Sequence, residues 1–156
     1  MKTLTIERDF NAPIEKVWQA FTDPELLRKW WSPPGMSNSF ISTEVKEGGM
    51  FRYCFKADEG GMEFWGRGIY TKIDEPNYLA YKDSFTDAEG NDVPAAHYGI
   101  PGDEIVETLV EFFFTEEDGK TYLKMVGENP FDEGMTEEMT KGWNGMFEKL
   151  QKVFGA

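Results

Sequence analysis

EEMTKGWNGMFEKLQKVF, residues 137–154, is the stretch that decides the architecture. Its apolar residues Met139, Trp143, Met146, Phe147, Leu150, Val153 and Phe154 recur at three- and four-residue steps, the spacing of one face of an α-helix. Glu137 and Glu138 stand at the positive end of the helix dipole, and Lys149 and Lys152 at the negative end. The pattern predicts a helix that starts after Thr136. A stripe this broad has to be buried against a wide apolar surface, so the remainder of the chain must supply a sheet.

Moving outward from the helix, the period changes to two. KTYLKMV (120–126) and IVETLVEFFFT (105–115) read as strands joined by Glu116-Glu117-Asp118-Gly119. Upstream, SFISTEV (39–45), MFRYCFK (50–56), MEFWGRGIYTKI (62–73) and YLAYKDSF (78–85) are separated by turn residues, Gly48-Gly49, Asp58 to Gly61 and Asp74 to Asn77. TLTIERDF (3–10) adds a seventh strand, and antiparallel order follows from the short connections. Gly66 and Gly68 inside the fourth strand predict a bulge or sharp bend. Between the first two strands lie two helix starts. Pro13 suits a first helical position before Ile14, Val17, Trp18 and Phe21, and Thr22 or Asp23 caps a second helix with Pro24, Leu27, Trp30 and Trp31. Ser32-Pro33-Pro34-Gly35 stops it. The expected architecture is one α+β domain over residues 1–156, a curled antiparallel sheet of about seven strands around a long C-terminal helix.

Composition narrows the function. Against 16 Lys plus Arg stand 29 Asp plus Glu, a net charge of −13 with no segregated basic patch, so no nucleic-acid partner is expected. No apolar run approaches the roughly 20 residues of a membrane span. A charged amino terminus unlike a signal peptide and the single Cys54 favour a cytoplasmic location. With one His and one Cys, metal sites and Ser/His or Cys/His nucleophiles have little material, and no cofactor or metal is expected.

The residues also carry a resemblance. Ala12-Pro13 with Val17-Trp18, Thr22-Asp23-Pro24-Glu25 with Trp30-Trp31, Gly48-Gly49 with Phe51-Arg52, Gly68 with Tyr70, and Gly142-Trp143 ahead of an amphipathic helix occur in that order along the chain. In this the chain resembles the bacterial START-like (SRPBCC) relatives of the activator of the heat-shock-protein ATPase, the AHSA-type family. The resemblance implies a helix-grip fold, in which the sheet wraps the C-terminal helix and the two short helices close one end of a cavity. It implies a module that binds a small hydrophobic or aromatic molecule. Two alternatives stand beside it, an enzyme of the polyketide cyclase or hydrolase type and a chaperone-assisting interaction domain. Self-association into a homodimer is left open.

Candidate cavity residues follow from the pattern and the resemblance together. The aromatic wall is expected from Trp31, Trp65, Tyr70, Tyr81 and Trp143, because apolar walls with few polar groups line small-molecule pockets. Met125 and Met146 would add an adaptable surface. His97 and Tyr98 lie in a long irregular segment, 86–104, which is expected to act as a lid. Gly142 and Gly145 either permit close packing of the helix or leave volume for a ligand. Adjacent positions point about 100° apart on a helix, so Trp30 and Trp31 should not share one core. Glu63, Asp83 and Glu111 could serve as acid–base carboxylates, and Arg52 and Arg67 are expected to pair with acids before they bind an anionic ligand.

Overall fold

A computed structural model describes residues 2–155. Along the chain come β1 (Lys2–Phe10), α1 (Ile14–Thr22), α2 (Pro24–Trp30), β2 (Met36–Thr43), β3 (Met50–Ala57), β4 (Glu63–Asp74), β5 (Tyr78–Thr86), a 3-10 turn (Ala95–Tyr98), β6 (Thr108–Glu117), β7 (Lys120–Asn129) and α3 (Glu133–Val153). The strands form one seven-stranded antiparallel sheet in the order β1-β7-β6-β5-β4-β3-β2. Short turns make this order natural, as at β6–β7, where Asp118 and Gly119 both take positive φ (53° and 78°), matching the twist of the paired strands.

Alternation gives the sheet one apolar face. Phe10, Phe51, Tyr81, Phe112, Phe114 and Met125 are among the side chains buried on it. α3 covers that face with Met146, Phe147 and Leu150, the last two fully buried, so the predicted stripe faces the sheet. The helix begins earlier than the spacing suggests. Asp132 caps it by accepting from the Met135 N–H at 3.0 Å, which recruits Glu133 and Gly134 into the first turn.

Polar locks fix the C-terminal half of α3. The Lys149 ammonium donates to Ser32 Oγ at 2.7 Å and to the carbonyls of Ser32, Pro33 and Met36 at 3.0 to 3.2 Å. On the other side Arg8 donates to Gln151 and Asn144. Gly145 lies under Pro34, whose ring a Cβ would overlap, so this glycine serves close packing and leaves no ligand volume. The N-terminal half, with Met135, Met139 and Trp143, is only partly buried.

Two expectations are corrected here. The sheet bulges lie between Asn38 and Phe40 and between Tyr70 and Lys72, away from Gly66 and Gly68. Those glycines pair with Tyr53 and Phe51 on β3, and the two rings lie across them where a Cβ would stand. Pro13 caps α1 from outside, with extended backbone (ψ 156°), and does not occupy its first turn.

Candidate functional site

The inner face holds a narrow slot near the α1–α2 junction. It encloses about 10 Å³, room for about one water, between Phe21, Leu27, Trp31, Phe51, Tyr81 and Phe112, with Tyr70 and Leu79 at its sides. The slot therefore lies between the sheet and the two short helices, with α3 at its border: Trp143 packs edge-on against Trp31 at 5.6 Å and against Phe112 at 6.0 Å. A larger recess of about 590 Å³ lies on the outer face across β1, β7 and β6 and is wide open to solvent. It has a charged rim of Glu7, Asp9 and Lys124 and holds no buried polar group, so the inner slot is the better candidate.

Trp31 reaches the slot from the C-terminal end of α2, its N–H still bonded to the Leu27 carbonyl at 2.8 Å. It caps α2 with ψ near 73°, and its carbonyl is held by the Asn38 side chain at 2.9 Å. Trp30 and Trp31 are nevertheless both buried and meet edge-on at 5.2 Å, because Trp30 packs on Phe21 and Phe147 while Trp31 packs on Phe51, Tyr53 and Trp143, so apolar surface covers both directions. Their ring N–H groups differ. Trp30 Nε1 donates to the Ala20 carbonyl at 2.8 Å, whereas Trp31 Nε1 is buried with no partner among the described residues.

Next to the slot lies a polar pair. Tyr53 stacks on Phe51 and meets Trp31 edge-on at 6.1 Å, and its hydroxyl donates to Asp83 Oδ1 at 2.6 Å. Asp83 alternates with Tyr81 and Phe85 on the inner face of β5. Burial pushes its carboxyl up to about 6, against the lowering effect of the Tyr53 hydrogen bond and of Arg67 behind the sheet. Burial also raises the phenols of Tyr53, Tyr70 and Tyr81, with the Asp83 charge adding to the first and third. Tyr70 shares a hydrogen bond with Thr43 at 2.7 Å. The arrangement offers a free N–H donor, aromatic walls and a carboxyl group that changes charge near neutrality.

The remaining sequence candidates disperse. Trp65 is on the outer face, paired with Cys54 and Thr86, where it carries the Arg52 guanidinium over its ring at 5.3 Å. Met125 and Met146 are buried core residues outside the slot lining. His97 is exposed, its ring edge-on to Tyr98. The segment 87–107 is a strap around the end of the β4–β5 pair, and the lid expectation gives way to this. Asp92 takes a two-pronged pair from Arg67 at 2.9 and 3.1 Å on the outer side, with Glu107 at 2.7 Å. On the inner side Tyr98 packs between Phe64 and Phe85, its hydroxyl accepting from the Trp65 N–H and donating to the Thr86 carbonyl. Arg67 thus pairs with acids as expected, whereas Arg52 pairs with no acid among the described residues and donates to the Ala88 carbonyl at 3.3 Å. Glu63 and Glu111 belong to exposed or outer positions and do not join Asp83. Tyr53 was not singled out in the sequence. The signal for the pair was a lone acid at an inward position of an apolar strand face, Leu79-Tyr81-Asp83-Phe85.

A curled antiparallel sheet gripping a C-terminal helix, with two short helices closing an aromatic slot, defines a START-like helix-grip protein. The chain belongs to the family described as Activator of Hsp90 ATPase homolog 1-like protein, whose family model matches residues 11–155. Among solved structures it is similar to protein Ms6760 from Mycobacterium smegmatis, with 26% identity, 97% of this chain and 89% of that chain covered, and a TM-score of 0.77. A protein from Arthrobacter aurescens is similar at 24% identity, covering 98% of this chain and 86% of the other, with a TM-score of 0.82. The AHSA1 protein from Silicibacter pomeroyi is 19% identical, with 99% and 98% covered and a TM-score of 0.77. The last two likenesses bear on the fold alone. Comparison with curated proteins gives no match. Among the described residues no helix is long and apolar enough to cross a membrane, and no group of three metal-ligating side chains occurs.

Proposed function

We propose that this protein binds a small, flat, largely apolar molecule in the slot between the sheet and the α1–α2 junction. The observation that carries this is Trp31 Nε1, a buried donor without a partner at the wall of that slot. Leaving such a group unpaired costs about 1–3 kcal/mol, and an acceptor on a ligand would recover it. The closed slot has room for about one water, while small-molecule pockets span about 300–1,000 Å³. Binding therefore requires Trp31 and the partly buried half of α3, with Trp143, to move apart. Both tryptophans report that motion by fluorescence.

A second reading, proton-transfer chemistry on the bound molecule, is favoured by the Tyr53–Asp83 pair, whose carboxyl near 6 suits a general base. The test is a thermal-shift screen of flat aromatic compounds, with tryptophan fluorescence as the second probe. Stabilisation of the wild type that is weakened in Trp31→Phe, which keeps an aromatic ring and removes the N–H, supports the binding reading. No stabilisation by any compound overturns it. Turnover of a bound compound that is lost in Asp83→Asn would favour the catalytic reading.

A further inference from the structure

Asp83 is a half-buried carboxylate on an apolar inner face, with no ion-pair partner among the described residues. Its Oδ1 accepts from Tyr53, and its Oδ2 accepts from no described residue. The nearest guanidinium, Arg67, projects from the opposite face of the sheet, where its register partner is Ser84, and its donors are taken by Asp92, Glu107 and the Lys82 carbonyl. Among the described residues, every ion pair of the protein lies elsewhere: Arg8, Arg28, Lys46, Lys120 and Lys141 each pair with an acid other than Asp83. Lys149, the ammonium that reaches furthest into the interior from α3, is held by the Ser32–Met36 segment.

Aromatic residues neighbour this carboxylate along and across the sheet. Tyr81 and Phe85 stand two residues away on either side along β5, about 7 Å each at the strand rise. Tyr53 crosses from β3, with Phe55 next to it at 4.9 Å between centroids. Aromatic faces attract cations, and a desolvated carboxylate gains most from a partner that brings a positive charge into the same apolar surroundings. The net charge of −13 adds a long-range field that draws cations toward the molecule and repels anions. With its carboxyl lifted to about 6, Asp83 is still mostly ionised at neutral pH, so the negative charge is present when a ligand arrives.

Resting on the small-molecule reading above, we propose that the ligand is an aromatic cation: a protonated amine or amidine on a flat apolar body, the body in the slot against Trp31, Phe51 and Tyr81 and the charge against Asp83. This names the chemical class that the slot selects. A neutral ligand of the same shape would leave Asp83 without a counter-charge, and a carboxylate would set two like charges together in an apolar site.

The test uses three probes that share one ring system and differ in charge: naphthylmethylamine, naphthylmethanol and naphthoate. Their affinities for the full chain are measured at neutral pH by calorimetry and tryptophan quenching. The expected order is amine, alcohol, carboxylate, with the amine about tenfold tighter than the alcohol. In Asp83→Asn the ratio of amine to alcohol affinity should fall to about one, because the variant keeps an acceptor for Tyr53 and loses the charge. Equal binding of amine and alcohol by the wild type, tighter binding of the carboxylate, or an amine preference that survives in Asp83→Asn overturns the cation proposal while leaving small-molecule binding intact. Failure of all three probes and of the wider aromatic panel removes the binding reading itself, and this proposal with it. Should Asp83→Asn fail to fold, the order of the three probes on the wild type decides alone.

Discussion

Asp83→Asn should make the protein more stable at neutral pH. Burial lifts the carboxyl from its ordinary 3.8 to about 6, in spite of the Tyr53 hydrogen bond and Arg67, which act the other way. At about 1.4 kcal/mol for each pH unit, the ionised form is less favourable in the fold than in the unfolded chain by about 3 kcal/mol. Water reaches part of this half-buried side chain, and an asparagine amide brings its own donors to satisfy, so a net gain of about 1–2 kcal/mol is expected. The sign follows from proton counting. The raised pKa means that the native protein binds more protons than the unfolded chain between about pH 4 and pH 6, so the Asp83 contribution to stability falls as pH rises through that window. The variant has no such loss. Urea denaturation of both proteins from about pH 4 to about pH 8 should therefore give stabilities that coincide near pH 4, diverge between about pH 4 and pH 6, and stay apart by a constant amount above that, the variant lying higher. A variant less stable than wild type at neutral pH, or a difference that does not change with pH, would refute the assignment of Asp83 as a half-buried acid whose desolvation outweighs the help of Tyr53 and Arg67.

Other outcomes follow from the same geometry. Leu150→Ala, at a fully buried position of α3, should cost about 2–5 kcal/mol in urea melts, and an effect within about 0.5 kcal/mol would show that another face of the helix meets the sheet. Arg67→Ala should cost about 2–3 kcal/mol, less than most broken buried pairs because Asp92 and Glu107 are solvent-accessible and water takes them over. Arg67→Lys should recover only part of that loss, since an ammonium cannot hold Asp92 by two prongs, and full recovery would count against the strap. Gly68→Ala should cost about 1–3 kcal/mol through overlap with the Phe51 ring, and the cost should shrink in a Phe51→Leu background. No salt-dependent binding to DNA or RNA should appear by anisotropy, as the charge of −13 requires.

How far the sequence could be read depended on what each signal encodes. The stripe from Met139 to Phe154 and the alternation of the strands report which residues avoid water, and burial follows them directly. Asp23 before Pro24 has a local chemistry, and its side chain accepts from the Glu25 N–H as expected. Trp65 failed for a physical reason. In Phe64-Trp65-Gly66-Arg67-Gly68 the apolar Trp65 shares its face with the charged Arg67 and the other face carries two glycines, so polarity alone does not tell inner from outer. The register resolves it, since the Tyr53 and Phe51 rings need Gly66 and Gly68 beneath them and Trp65 must then point outward. The strap was equally hidden. Its anchors join Arg67 to Asp92 and Glu107 across 25 and 40 positions, a spacing with no local signature.

The placement of unpaired polar groups argues for the site more strongly than its volume does. Several polar groups of the interior are satisfied: Trp30 by Ala20, Thr121 by the Ala12 carbonyl, Arg67 by four bonds, Lys149 by the Ser32–Met36 segment. Besides Trp31 Nε1, Asn38 Oδ1 and Arg52 Nε are buried without a partner among the described residues, and of the three only Trp31 lines the slot. Trp31 keeps a buried N–H with no acceptor, though the neighbouring tryptophan shows that this fold can provide one. On the far side of the Tyr53 ring, outside the slot lining, Asp83 has no ion-pair partner among the described residues, and besides the Tyr53 hydrogen bond only Arg67 on the opposite face of the sheet favours its charge. A packed core under selection for stability alone would remove both, with a phenylalanine at 31 and an asparagine or leucine at 83. On the proposed reading one molecule meets both the Trp31 donor at the slot wall and the Asp83 carboxylate beyond the Tyr53 ring: apolar and flat in the middle, accepting at one end, cationic at the other. If Trp31→Phe and Asp83→Asn both stabilise the free protein, and both weaken binding of the naphthyl amine, the two groups are retained for the ligand and at the expense of the fold. If either substitution stabilises without weakening binding, that group has no part in recognition.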